Sequence, residues 1–356
     1  MVGVVHGVSQ ERRYSMIIVV KPGASDSQVH EIIDVLERNE LKAHVSEGAE
    51  RLIIGVIGDK SRLTPGSLEV LTGVEKIVPI MESYKLASRQ FRPEGTSFNV
   101  KDVTIGGKEL VMMAGPCAVE SEEQVEAVAS KMAACGVKVL RGGAYKPRTS
   151  PYAFQGLEKE GLKILRRVAD RYGLLVISEI TSENDIEYAS NYLDIIQIGA
   201  RNAQNFRLLS AVGKSGIPVM LKRGIAETID EWLGSAEYIM SEGNYHIMMC
   251  ERGIRTFETA TRSTLDISAV PVLKGKTHLP IIVDPSHAAG KAQYVQPLAL
   301  AAIAAGADGL IIEVHPDPKH ALSDAAQQLT PEAYAELAQR VKEMAEIVKR
   351  TYPKTV

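Results

Sequence analysis

A chain of 356 residues, 45% hydrophobic and 24% charged, is long enough to build two globular domains. A formal net charge of −3 excludes a general attraction to nucleic acid or to an anionic membrane, so any basic site has to be local. Three cysteines, Cys117, Cys135 and Cys250, are too few and too scattered for a disulfide framework and fit a reduced, cytoplasmic setting.

Residues 1–15 lack a long apolar run, so they read as a flexible extension rather than a secretory signal. Residues 16–82 read as a small domain. MIIVVK is a buried-type strand, and Val29, Ile32, Ile33 and Leu36 then recur at helical spacing behind Asp26. LKAHVSE and RLIIGVIG follow as paired strands. TPGSLEVLTG reads as a short helix with Pro65 in its first turn and Gly73 at its end, and VEKIVPIM closes the unit as a strand. The order βαββαβ is the ferredoxin-like arrangement. It carries no clustered Cys or His, and a regulatory ligand-binding role is expected, with His30 and Ser46 in position to touch a ligand. Residues 83–108 read as a linker ending in a hairpin turned at Gly106-Gly107.

From residue 109 to 356 the pattern becomes strand, loop, helix, eight times over. The strands are ELVMMAG, VKVLRGG, LLVISEI, DIIQIGA, IPVMLKR, HIMMCER, PIIVDPS and DGLIIEV. Ser121 and Gln124 form a capping box for the first helix, and Thr330-Pro331-Glu332 starts the last. The Ala-rich stretch 298–307 is too short to span a bilayer and reads as a packed helix. Eight apolar strands alternating with helices predict a (β/α)8 TIM barrel, α/β in class, behind the small ferredoxin-like domain.

Chemistry in such barrels sits at the C-terminal strand ends, and here each end is reactive or ionic. Cys117 follows the first strand. Arg141 ends the second, whose loop carries KPRTS with Lys146, Arg148 and Thr149. Glu179 ends the third, Arg201 the fourth and Lys222 the fifth. Glu251 and Arg252 end the sixth, Asp284 and His287 the seventh. Glu313 ends the eighth, with Asp324 beyond it. Cys117 stands in a loop because Gly115-Pro116 precede it, whereas Cys135 and Cys250 read as small buried hydrophobes. Thiolate, imidazole and two carboxylates suit a borderline divalent metal. His315 and Asp317 are weaker ligand candidates. Glu313 needs a metal or an Arg partner to offset burial. The cations exceed what one phosphate needs and suit two phosphorylated partners, with Glu179 and Glu251 available to pair with two of them.

The segments AGPCAVES, KVLRGGAYKPRTSPYAFQG, IQIGARNAQNF, LKRG, CERGIRTFE, TRSTLDISAVP, VDPSHAAG, EVHPDP and ALSDAAQQL resemble one family. It is the class I 3-deoxy-D-arabino-heptulosonate 7-phosphate (DAHP) synthases, in the subgroup with an N-terminal ferredoxin-like, ACT-like regulatory domain. The resemblance implies a metal-dependent condensation of phosphoenolpyruvate with erythrose 4-phosphate and water, giving DAHP and phosphate. This reaction opens the shikimate pathway to chorismate and the aromatic amino acids. It implies metal ligation by Cys117, His287, Glu313 and Asp324, with Mn²⁺ first and Fe²⁺, Co²⁺, Zn²⁺, Cu²⁺ or Cd²⁺ as alternatives. Arg141, Lys146, Arg201, Lys222 and Arg252 would surround phosphoenolpyruvate, with Glu179 also in the substrate site. Arg148 and Thr149 would hold the erythrose phosphate, and Asp284 would lie near the aldehyde. Lys146 is placed to donate a proton as well as to pair with charge. The resemblance further implies a homotetramer inhibited by Tyr, with Phe as a second inhibitor, through a small domain that closes over the barrel mouth. Two alternatives stand beside it. One is 3-deoxy-manno-octulosonate 8-phosphate synthase, which takes arabinose 5-phosphate and whose loop reads differently from KPRTS. The other is a catalytically inactive metabolite sensor.

Overall fold

The structure, a computed structural model, describes residues 16–47, 52–57, 63, 66–79, 84–147 and 150–354. The chain divides into two compact units, Met1–Glu82 and Ser83–Val356.

In the first unit, β1 (Met16–Val20), α1 (Asp26–Arg38), β2 (Lys42–Glu47), β3 (Leu52–Ile57) and β4 (Val74–Pro79) build one antiparallel sheet in the order β2-β3-β1-β4. The predicted ferredoxin-like domain is there. Ser25 caps α1 in a reciprocal box with Gln28, one residue before the Asp26 that marks the helix in the sequence. Ile32 and Leu36 on α1 meet Ile18, Ile54 and Val56 of the sheet in a closed apolar cluster. The helix expected over TPGSLEVLTG lies partly outside the described residues, and its described part, 66–73, forms turns and a bend. His30 is exposed and bonds the Asp26 carbonyl oxygen at 2.7 Å, a contact internal to α1. The Ser46 side chain and residues 1–15 lie outside the described residues.

In the second unit, eight parallel strands close into a barrel in the order β10-β11-β12-β13-β14-β7-β8-β9. They are β7 (Val111–Gly115), β8 (Val139–Arg141), β9 (Leu175–Glu179), β10 (Ile195–Ile198), β11 (Val219–Lys222), β12 (Ile247–Glu251), β13 (Ile281–Val283) and β14 (Gly309–Glu313). Around them stand α2 (Glu122–Ala134), α3 (Glu158–Arg171), α4 (Ile186–Ala189), α5 (Phe206–Ser215), α6 (Ile229–Ser241), α7 (Ala269–Lys276), α8 (Pro285–Ala289), α9 (Ala292–Ala304) and α10 (Pro331–Ile347). The strands read as continuous apolar runs because both faces are covered, one by helices and one by the barrel interior. Thr330 caps α10 as the sequence predicts. Ser121 caps α2, but the Gln124 side chain reaches past it to accept from the Glu120 N–H at 3.2 Å, so the predicted box is only half made.

Residues 84–108 belong to the barrel unit and do more than link. Tyr84 and Ala87 are buried against the helix layer, and the N–H groups of Leu86 and Ala87 donate to Glu237 on α6 at 3.0 Å each. The hairpin, β5 (Phe98–Val100) and β6 (Val103–Ile105), turns at Lys101–Asp102 and not at Gly106-Gly107. The reason is the alternation of buried residues: Phe98 and Val100 must face Val103 and Ile105, which leaves two residues for the turn and places the glycine pair after it. These four side chains plug the lower end of the barrel, packing with Met113, Ile195, Met248 and Ile311 of its interior.

Candidate active site

The polar residues singled out from the sequence gather at the opposite end. Arg141, Glu179, Lys222, Glu251 and Glu313 are the last residues of their strands. Cys117 follows β7 across a turn that only glycine permits, since a Cβ on Gly115 would collide with the Arg141 carbonyl oxygen.

The ligand atoms of Cys117, His287, Glu313 and Asp324 all lie within 4.8 Å of one another. Each arrives by a separate local device. Asp284 caps the short helix α8, accepting from the His287 N–H at 2.9 Å, and its other oxygen holds His287 Nδ1 at 2.7 Å. That leaves Nε2 turned inward, 3.4 Å from Glu313 and 3.8 Å from Asp324. Asp324 sits in a left-handed backbone conformation, φ 50°, and its Oδ2 points at Cys117 Sγ, 3.6 Å away. The set fits a borderline divalent ion: one soft donor, one imidazole whose tautomer is fixed by a carboxylate, and two hard oxygens.

The electrostatics agree with an ion-binding role. Burial pushes the Cys117 thiol up to about 11, helped by Glu313 and opposed by Lys146. The thiolate a metal needs is therefore unfavourable until a cation arrives. Burial also works against the ionisation of Glu313, but the charges of His287, Arg141 and Lys146 outweigh it and hold its carboxyl well below the usual range. His287 is itself pulled down by burial, whereas the Arg141 guanidinium is held up against its burial by Glu313; its Nη1 lies 2.6 Å from Glu313 Oε1. This is the Arg partner that an isolated carboxylate at a strand end requires.

Above the cluster opens a cavity of about 260 Å³, lined by Arg141, Lys146, Glu179, Arg201, Lys222, Arg252 and Arg262, with His287 and Asp324 at its floor. Lys146 Nζ bonds the Cys117 carbonyl oxygen at 2.8 Å and lies 3.1 Å from Sγ. Lys222 is paired with Asp284. Among the described residues, Arg201 and Arg252 make no ion pair and keep their charge for the cavity. Glu179 is half-buried: its Oε2 accepts from Gln197 Nε2 at 3.3 Å, its Oε1 is buried and unpartnered, and burial raises its carboxyl against the pull of the surrounding cations. A Cβ on Gly199 would collide with that carboxylate.

Several expectations need revision. Glu251 binds neither substrate-side cation. It takes Arg223, 3.0 Å away, a residue hidden in the sequence beside Lys222. Glu179 makes no ion pair; Glu313 and Asp284 are the carboxylates that engage Arg141 and Lys222. Asp284 does not face the cavity. It is buried beneath, with both oxygens engaged by His287 and Lys222. His315 and Asp317 stay outside the cluster: His315 turns toward Glu120 at 3.4 Å, and exposed Asp317 pairs with His320. Cys250 is buried in the barrel interior as expected, whereas Cys135, at the C-cap of α2, is only half-buried. Arg148 and Thr149 lie outside the described residues. Arg262 and Gln327 were missed as site residues, although both stand in the quoted segments. Arg262 bonds Asp324 at 3.0 Å and Gln327 bonds Glu313 at 2.5 Å. Nothing about their spacing separates them from surface residues before the loops are folded.

Fold and site together define a (β/α)8-barrel enzyme with a metal-competent donor set under a cationic pocket. The family model described as "DAHP synthetase I family" matches residues 84–350, and that of the "DAHP synthase ferredoxin-like domain" matches residues 16–82. The chain belongs to the DAHP synthase family, and its activity is that of a 3-deoxy-7-phosphoheptulonate synthase, a transferase of the shikimate pathway. A phospho-2-dehydro-3-deoxyheptonate aldolase from Thermotoga maritima is 52% identical over 331 residues, covering 93% of this chain and 98% of the relative. A solved structure of that DAHP synthase from T. maritima superposes with a TM-score of 0.78 at 50% identity, over 96% of this chain and 100% of the other. A more distant relative, a 2-dehydro-3-deoxyphosphooctonate aldolase from Syntrophotalea carbinolica, is 34% identical over 65% of this chain and 90% of its own length. No helix among the described residues is long and apolar enough to cross a membrane.

Proposed function

We propose that the chain condenses phosphoenolpyruvate with erythrose 4-phosphate and water in a metal-dependent reaction. Cys117, His287, Glu313 and Asp324 hold one divalent ion, Mn²⁺ by preference. The observation that carries this reading is the convergence of those four donors at the floor of a cavity lined by cations. An ion held there supplies Lewis-acid polarisation of an aldehyde oxygen. The rest falls to the chain's own residues. Arg201 and Arg252, unpaired, and Arg141, Lys146 and Lys222 hold two anionic substrates together against their repulsion. Arg148 and Thr149 complete the phosphate site for the four-carbon sugar. Asp284 acts through His287 and Lys222 by fixing their orientation, not by touching the aldehyde. Lys146, within reach of both the donor cluster and the cavity, donates a proton; Lys146→Met should then lower kcat far more than it raises KM. Glu179, half-buried with one oxygen unpartnered, faces the same pocket and orders the substrate side. New carbon–carbon bonding joins C3 of phosphoenolpyruvate to the aldehyde carbon, water adds at C2, and phosphate leaves.

The ferredoxin-like unit is proposed to bind an aromatic amino acid, Tyr or Phe, that inhibits the barrel. The protein is proposed to be a cytoplasmic homotetramer. Titration of activity with Tyr, Phe and Trp tests the first, and light scattering the second.

The acceptor is decided by phosphate release with erythrose 4-phosphate and, separately, arabinose 5-phosphate. Each is run before and after EDTA and with Mn²⁺ restored. Turnover with erythrose 4-phosphate alone, lost in EDTA and recovered with Mn²⁺, is expected. Turnover only with arabinose 5-phosphate would overturn the acceptor, and full activity after complete metal removal would overturn the ligand set. The 52% identical relative carries the heptonate name, which favours the four-carbon sugar.

A further inference from the structure

One cation at the mouth belongs to both halves of the site. Arg262, on the loop between β12 and α7, lines the cavity, yet its Nη1 lies 3.0 Å from Asp324 Oδ2 and 2.9 Å from Gln327 Oε1. Asp324 Oδ2 is the same oxygen that faces Cys117 Sγ at 3.6 Å and His287 Nε2 at 3.8 Å. Arg262 therefore holds the ligand atom that an ion would use, and its charge opposes a dication arriving beside it.

The pair is also the one built to open. Arg141–Glu313 is sealed, with side chains 5% and 1% exposed, whereas Arg262 and Asp324 are 37% and 22% exposed. A half-solvated pair is cheap to separate, and a buried one is not. Asp324 does not depend on Arg262 alone for its place. Gln327 Nε2 reaches the same Asp324 Oδ2 at 3.3 Å and Glu313 Oε2 at 2.5 Å, so Asp324 keeps a neutral tie when Arg262 leaves.

We propose that Arg262 couples metal binding to anion binding: it rests on Asp324 while the cavity carries no anion and swings to a phosphorylated ligand when one enters, releasing Asp324 to the ion. This inference rests on the metal and anion assignments of the proposed function. By linkage, the anion tightens the metal and the metal tightens the anion by the same factor.

The test is Mn²⁺ affinity, by calorimetry or by the electron paramagnetic resonance of free Mn²⁺. It uses the full-length metal-stripped chain, with and without saturating phosphoenolpyruvate and with no aldehyde present. In the wild type, phosphoenolpyruvate should tighten Mn²⁺ by about tenfold, within the usual range of allosteric coupling. In Arg262→Met, Mn²⁺ alone should bind tighter than in the wild type, roughly threefold, and the gain from phosphoenolpyruvate should shrink to about threefold or less, the through-space part. Arg262→Gln, polar and of similar length, should behave alike and guards against a variant that misfolds. Weaker Mn²⁺ binding by both variants would overturn the coupling and reduce Arg262 to a brace for Asp324. So would an undiminished gain. Cys117→Ala separates this from failure of the metal reading: if it binds Mn²⁺ as the wild type does, the four-donor site falls and the coupling with it.

Discussion

At its lower end the barrel is closed by Phe98, Val100, Val103 and Ile105, apolar residues of a hairpin that fill the space between the strands. At its upper end the same strands finish in Arg141, Glu179, Lys222, Glu251 and Glu313. One end lowers free energy by removing hydrocarbon from water. The other spends part of that gain on polar groups held without enough solvent, such as Glu179 with an unpartnered oxygen and Cys117 with a thiol pushed up to about 11. The two ends are joined by three to five residues per strand, so a site poor in stability can be tolerated because its supports are shared with a plug that has no chemical duty.

If this division holds, substitutions at the two ends fail in different ways. The largest effect should come from Cys117→Ala: loss of Mn²⁺ binding and a fall in phosphate release of roughly 10³-fold or more, from the several kcal/mol that Lewis-acid catalysis provides. Thermal unfolding of the metal-free protein should change little.

Arg141→Met strands Glu313 in a buried site and should cost about 3–5 kcal/mol of stability near pH 7, measured by denaturant unfolding. Its pH dependence has a definite sign. Glu313 is depressed in the fold, so its contribution is complete above its ordinary value of 4.5 and is lost as pH falls further. The stability gap between variant and wild type should therefore narrow below that pH. A gap that widens in acid would show that Arg141 does not carry the interaction.

At the plug, Ile105→Ala should cost about 2–4 kcal/mol through a buried cavity, with Mn²⁺ affinity unaltered. A parallel loss of Mn²⁺ affinity would show that the two ends are not separable. The smallest effect should be a gain. Glu179→Gln removes a half-buried carboxylate that makes no ion pair and has one oxygen unpartnered, and should stabilise the protein at neutral pH by about 1 kcal/mol in thermal unfolding, while lowering activity. A stability loss would mean that the Glu179 charge is compensated by the surrounding cations.

Much of this was legible in the chain. Unbroken apolar runs ending in single ionic residues mark parallel strands whose C-terminal ends share one mouth, so Cys117, His287, Glu313 and Asp324 could be singled out across more than two hundred positions. The four strands and first helix of the small unit were equally readable, because period-two and period-3.6 patterns are local. What sequence could not supply was pairing. Arg223 and Lys222 are adjacent and chemically alike, yet one is committed to Glu251 and the other to Asp284. Asp284 reads as a residue facing substrate until its neighbours show it buried below His287. Arg262 and Gln327 have no local signature at all.

Alternation and composition act over a few residues, so element order, barrel closure and the identity of the donor atoms are set by the chain itself. Which carboxylate neutralises which cation is decided by distances of about 3 Å between loops far apart in sequence, where the interaction falls off with separation and burial decides its strength. The hairpin turn at Lys101–Asp102 is a case of the same kind: a glycine pair supplies local permission to turn, but the need to bury Phe98 and Ile105 in one plug chooses the place.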